Sequence, residues 1–178
     1  MGERYDTLYA APQETAARGV TVSALRTTPE GFAARADFPL RPSPFCKAAF
    51  VVEQPDFKPG RHPYHHAGVF YSQEPSASSA APLLGVKPGM RVLDLCAAPG
   101  GKSSQLAAAL QGQGLLVSNE YVAARAEILK SNLERMACPT PSCSTKHLPH
   151  RSGPAGVLRP RSGGRACSGE GMFRKEPA

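Results

Sequence analysis

The sequence predicts an α/β fold in which a small α+β region precedes a strand, a tight turn and a helix of the kind that binds nucleotide-type cofactors. Two observations carry this reading. Arg91-Val92-Leu93 opens a short apolar strand that runs into DLCAAPGGK, Asp94 to Lys102, and then into SSQLAAAL, Ser103 to Leu110, which is rich in helix formers at helical spacing. A second apolar stretch, Gly114 to Asn119, closes on Glu120, twenty residues after Gly100. A carboxylate at the end of a second strand, at about that offset, accepts hydrogen bonds from ribose hydroxyls. Pro99, Gly100 and Gly101 suit a turn in which backbone approaches a ligand, with no Cβ in the way at the glycines and free N–H groups at the helix start.

The remaining elements follow from the punctuation. Residues 1–58 read as a mixed region: a helical start near Glu3 to Ala10, a turn around Pro12, a strand at Val20 to Leu25, a helix at Glu30 to Ala36 and a strand at Ala48 to Glu53. Residues 59–84 read as a connecting loop with Pro59, Gly60 and Pro63, then a helix at Ser76 to Leu84 that Glu74-Pro75-Ser76 is placed to cap. Lys87-Pro88-Gly89 turns the chain into the first strand of the cofactor-binding half, residues 85–136. That half ends in a helix at Ala123 to Met136 with Ala126, Leu129 and Leu133 on one face. There are no internal repeats.

The loop C-A-A-P-G-G-K lacks the dinucleotide pattern G-x-G-x-x-G, so a nicotinamide cofactor is the weaker expectation and S-adenosylmethionine the stronger one. A nicotinamide-dependent reductase of similar strand-turn-helix design remains the rival from another class.

In the stretches HHAGVFYSQEPSA (His65 to Ala77), PLLGVKPGMRVLDLCAAPGGKSSQLAAAL (Pro82 to Leu110), LVSNEYVAARAEILKSNLERM (Leu116 to Met136) and CSGEGMFRKEPA (Cys167 to Ala178), the chain resembles the RNA cytosine-5 methyltransferases of the Sun and nucleolar-protein group, and within them the bacterial small-subunit ribosomal RNA methyltransferase F-like proteins. The resemblance implies a class I, Rossmann-like, S-adenosylmethionine-dependent methyltransferase domain. In it Cys96, Ala97, Ala98, Pro99, Gly100, Gly101 and Lys102 would hold the methionine end of the cofactor and Glu120 its ribose. It also implies that the N-terminal region helps to hold RNA, with ribosomal RNA as the partner.

Cytosine C5 is a poor nucleophile, so in this family a thiolate adds at C6, C5 takes the methyl group, and a base removes the C5 proton so that the thiolate can leave. By resemblance Cys167 in ACSGEGMF, residues 167–178 being a remnant of the fourth motif, is the cysteine that assists product release, although Ala166 stands where proline is expected. The Thr-Cys pair of the nucleophile motif has no counterpart in the sequence, so the chain as printed is expected not to turn over. A non-catalytic scaffold that kept the cofactor half-site, or an RNA-binding derivative, is the alternative.

Residues 137–166 change character. They have no strand alternation and no helical stripe, abound in Pro, Ser, Gly and Arg, and lack the acidic residues that the resemblance requires near the adenine and before the fourth-motif cysteine. Codons for Cys138 to His147 can be chosen that, read one base earlier, spell Val-Pro-Asp-Ala-Val-Val-Leu-Asn-Glu-Ala. Codons for Leu158 to Ala166, read one base later, can spell Phe-Asp-Arg-Val-Leu-Val-Asp-Ala. These are plausible third and fourth strands of the family, so a frame-shifted stretch is expected. Cys138, Cys143, His147 and His150 make C-x4-C-x3-H-x2-H, whose spacings depart from structural zinc patterns. No metal is expected there, nor at His62, His65 and His66, which read as polar loop residues.

The chain has 178 residues, with Lys plus Arg at 21 against 14 for Asp plus Glu, a net charge of +7 that suits a phosphate-bearing partner. Part of that excess, Arg151, Arg159, Arg161 and Arg165, sits in the altered stretch and is discounted. Five cysteines without paired spacing, and a start lacking the apolar run of a signal peptide, point to the cytoplasm. No run reaches membrane-spanning length, and Asp6 stands where a myristoylation signal needs Ser or Thr. The expectation is a monomer with no membrane contact.

Overall fold

The computed structural model describes residues 17–139, and the backbone of 141–144 and 161–162. The expected helix at Glu3 to Ala10, the turn at Pro12, Cys167 and most of 145–178 lie outside the described residues.

Two sheets organise the chain. The first is antiparallel, in the order β2-β3-β1-β4, from β1 (Gly19–Val22), β2 (Leu40–Pro42), β3 (Ala49–Val52) and β4 (Phe70–Ser72). In its centre Val20 pairs with Phe50 on one side and Ser72 on the other. The sheet therefore takes its fourth strand from beyond residue 58, inside the stretch that sequence alone assigns to a connecting loop. Helix α1 (Pro29–Ala33) starts at Thr28, whose hydroxyl accepts the Gly31 N–H at 3.0 Å, and buries Phe32 against the sheet. Phe32, Phe38, Phe50, Phe57 and Phe70 then form an aromatic core with Val20, Val22 and Val52, with Phe32 and Phe70 meeting edge to face at 5.8 Å.

Helix α2 (Pro63–His66) leads from that core into β4. The expected single helix at Ser76 to Leu84 is a 3-10 turn (Ser76–Ser79) followed by α3 (Ala80–Leu83). Ser76 does not cap it, because its hydroxyl donates to the Glu74 carboxylate at 3.0 Å.

The second sheet is parallel, in the order β7-β6-β5-β8, from β5 (Arg91–Asp94), β6 (Leu115–Asn119), β7 (Pro141–Ser144) and β8 (Arg161–Ser162). Helices α4 (Gly101–Leu110) and α5 (Ala123–Arg135) connect its strands. Leu106, Leu110, Leu129 and Leu133 from the helices close over Val92 and Leu116 of the strands. Buried Leu129 and Leu133 lie on the face of α5 that the helical spacing marks as apolar. Gly114, at φ +108°, sits against the Met90 carbonyl, where a Cβ would come within 2.2 Å, and so permits the turn into β6.

Strands β7 and β8 fall in residues 137–166, where composition predicts no element. Parallel pairing is made by backbone N–H and C=O groups, so it does not require the apolar side chains that the sequence lacks. Pro141, without an N–H, is tolerated as the first residue of an edge strand. Since β5 sends one connection toward β6 and the next strand in space on its other side is β8, the strand order reverses at β5. Among the described residues no helix is long and apolar enough to cross a membrane.

Candidate functional site

In open parallel sheets, ligands bind beyond the carboxyl ends of the strands where the strand order reverses. Here that place is the end of β5. Register pairs Asp94 with Ser118, so the chain leaving β5 and the chain leaving β6 emerge side by side. Cys96 and Glu120 therefore lie at the same, carboxyl end of the sheet, and the Ala97 N–H donates to the Asn119 carbonyl at 2.9 Å across the gap. The Asn119 side chain returns the tie, its Nδ2 donating to the Leu95 carbonyl at 3.1 Å.

The elbow itself is held from α5. Arg125 donates to the Ala98 carbonyl at 3.2 Å and Asn132 to the Pro99 carbonyl at 2.8 Å, on either side of a cis Ala98–Pro99 peptide. Gly100, at φ +113°, is the N-cap of α4 and brings no side chain to the helix start. A Cβ at Gly100 would approach Leu129 Cδ1 to 3.2 Å, and one at Gly101 would approach the Tyr71 ring to 3.1 Å. The structure thus gives these glycines a different reason from the one the sequence suggests: the space a Cβ would take is filled by protein, and its absence lets α5 and β4 press against the elbow.

Cys96 and Pro99 are exposed, Ala97 and Gly100 buried, Ala98 and Gly101 half-buried, and Lys102 exposed on the first turn of α4. Glu120 is 4 % exposed. Its Oε1 accepts the Val122 N–H at 3.1 Å and lies 3.7 Å from Arg125, while among the described residues nothing donates to Oε2. Beneath the elbow, Asp94 is buried and accepts from the Ser103 hydroxyl at 2.7 Å, which in turn accepts from Ser118 at 3.0 Å. Burial pushes the Asp94 carboxyl above its ordinary range, and bonds from Ser103 and the Cys96 N–H oppose that shift.

Sequence reasoning finds the elbow and Glu120 but misses Asp94, Asn119, Arg125 and Asn132 as their supports. Asn119, directly before Glu120, and the seven-residue spacing of Arg125 and Asn132 on α5 were the available signals. His62, His65 and His66 form no ligand set: His62 Nδ1 accepts the Tyr64 N–H at 3.1 Å and its Nε2 faces Asp37 at 2.9 Å. Cys138 is buried in the α/β core, Cys143 is described in backbone alone, and His147 and His150 lie outside the described residues. Among the described residues no group of three His, Cys, Asp or Glu is arranged to hold a metal. Two cavities of about 260 and 270 Å³ lie elsewhere, one beside Asp37 and Arg61, the other between Cys46 and Gln105, and neither opens on the elbow.

Residues 81–178 match the model of the 16S rRNA methyltransferase RsmB/F family, and residues 1–75 match the N-terminal domain of 16S rRNA methyltransferase RsmF. The chain belongs to the RsmB/F family. Among relatives of this RsmB/F chain, ribosomal RNA small subunit methyltransferase F of Serratia proteamaculans is 35% identical over 97% of the chain, and that of Cronobacter sakazakii 33% identical over 99%. The chain spans 38% of the length of each of these relatives. A methyltransferase homolog protein from Pyrococcus horikoshii superimposes with a TM-score of 0.75 at 26% identity, over 82% of this RsmB/F chain and 48% of the other. NSun6 from the same organism, solved with SFG, gives a TM-score of 0.70 at 13% identity over 82% of this chain and 62% of that one, a likeness of fold. The α/β, Rossmann-like methyltransferase fold expected from the sequence is therefore present.

Proposed function

We propose that the elbow and Glu120 form one S-adenosylmethionine site, and that this chain is the cofactor-binding part of a ribosomal RNA cytosine-5 methyltransferase. The observation that carries the reading is their common position at the carboxyl ends of β5 and β6. Glu120 is a buried carboxylate with one oxygen satisfied by the Val122 N–H and the other without a donor among the described residues. Ribose hydroxyls are suitable donors to a carboxylate oxygen in this position. At the other end, the first-turn amides of α4 have no side-chain cap, and Lys102 adds a positive charge there, so the methionine carboxylate finds donors at residues 100–102. When bound, the cofactor supplies a sulfonium methyl group.

The chain's own residues then hold and orient. Arg125 and Asn132 fix the carbonyls of Ala98 and Pro99, and Asn119 fixes Leu95, so the elbow is set before any ligand arrives. Cys167 takes the product-release role by family resemblance. RNA is the partner we assign to the whole enzyme.

The family reading also bears on residues 137–166. With the codons chosen above, Ala-Val-Val-Leu would fall on positions 141–144 and Val-Leu on 161–162, the positions of β7 and β8. This coincidence supports a frame-shifted stretch whose intended text is that of two core strands. Resequencing the gene across it is decisive: an intact printed frame removes the idea.

Calorimetry on the purified chain tests the cofactor reading. Heat with S-adenosylmethionine and none with NAD is expected. Heat with NAD alone overturns the choice of cofactor.

A further inference from the structure

Asn132 stands where three parts of the molecule meet. Its Nδ2 donates to the Pro99 carbonyl at 2.8 Å and lies 3.4 Å from the Tyr71 hydroxyl of β4, while its Oδ1 accepts from Arg135 at 3.2 Å. Arg135 is itself committed to the N-terminal region: Nη1 donates to the His65 carbonyl at 2.6 Å, and its guanidinium sits 5.6 Å from the centre of the Tyr71 ring. The turn that carries His65 packs so closely on the end of α5 that a Cβ at Gly68 would come within 2.0 Å of the Arg135 carbonyl. An unbroken chain of polar contacts thus runs from the end of α2, through Arg135 and Asn132, to the carbonyl that precedes Gly100.

We propose that Asn132 is a positioning residue that braces the elbow and couples its geometry to the docking of the N-terminal region. The proposal rests on the cofactor reading for its functional consequence, though not for the brace itself. An amide is needed at this position because one end must donate, to Pro99, and the other must accept, from Arg135. A carboxylate of the same shape keeps the second contact and turns the first into a repulsion between two oxygens. That difference separates positioning from mere packing.

The test compares wild type with Asn132→Asp and Asn132→Ala in the full chain, by thermal melting, amide hydrogen exchange over Leu95 to Lys102, and S-adenosylmethionine calorimetry. Loss of one net hydrogen bond predicts exchange at the elbow faster by roughly fivefold to tenfold, and cofactor affinity weaker by a similar factor. In Asn132→Asp the melting temperature should fall by only a few degrees, since the bond with Arg135 survives. Asn132→Ala controls for loss of both contacts and should show the same loosening of the elbow with a larger fall in melting temperature. Elbow exchange in Asn132→Asp equal to wild type overturns the brace, whatever the calorimetry shows. Should wild type bind no S-adenosylmethionine, the cofactor reading falls, and exchange still decides whether Asn132 holds the elbow. Faster exchange with unchanged affinity overturns the consequence for cofactor binding.

Discussion

Replacing Gly68 with Ala should uncouple the two halves of the molecule, because two separate costs meet at that residue. Gly68 has φ +67°, a left-handed conformation that costs a residue with a Cβ about 1–2 kcal/mol. The new Cβ would also lie 2.0 Å from the Arg135 carbonyl oxygen, a contact that backbone on both sides must move apart to relieve. Separation would break the Arg135–His65 hydrogen bond, and a bond from a charged donor contributes roughly 1.5–3 kcal/mol. The total is roughly 3 kcal/mol or more. Gly85→Ala supplies the control, since Gly85 also has a positive φ, +60°, but nothing lies within 4 Å of its Cβ position, so only the first cost applies. Urea unfolding measures both. With a slope on the order of 1–3 kcal/mol per molar, the Gly68→Ala midpoint should fall by about 1 M or more, and that of Gly85→Ala by clearly less. Equal midpoints for the two variants would refute the claim that the α2–β4 turn is docked on α5.

Other perturbations test the site and its support. Leu129→Ala removes a fully buried side chain that packs under both the sheet and Gly100, and should cost about 3 kcal/mol in the same unfolding assay. Glu120→Gln keeps the shape of the carboxylate but not its charge, and should weaken S-adenosylmethionine binding about tenfold in calorimetry while leaving the fold intact. Burial pushes the Tyr71 phenol up to about 12 from an ordinary 10.0. Because the folded value is the higher one, this contribution is fully present below pH 10 and is lost as pH rises toward 12, a fall of roughly 2–3 kcal/mol. Tyr71→Phe should flatten that alkaline slope in unfolding experiments; a slope unchanged by the substitution would count against the buried phenol.

The parts of the fold that sequence made legible are those in which local pattern and tertiary burial agree. Leu129 and Leu133 recur at helical spacing and are buried in α5, and the apolar runs at Arg91–Asp94 and Leu115–Asn119 become adjacent parallel strands. Strand β4 was hidden because Phe70–Ser72 is too short to show alternation, and its pairing with β1 is made nearly fifty residues away in sequence. The elbow and Glu120 were visible because their chemistry demands particular residue types at a set spacing. Their supports were not, because Asn119, Arg125 and Asn132 act on backbone carbonyls, and a carbonyl leaves no mark in the sequence. Strands β7 and β8 were invisible for the opposite reason, since their backbone pairs in the sheet while the printed residues carry no strand pattern.

A titration of the isotope-labelled chain with S-adenosylhomocysteine, followed by amide chemical shifts, tests the central claim most directly. Perturbations concentrated on Cys96 to Lys102 and on Glu120 to Val122, saturating together with one affinity, are the expected result. Shifts confined to one of these two segments, or centred on another face of the molecule, would contradict a single cofactor site shared between the ends of β5 and β6.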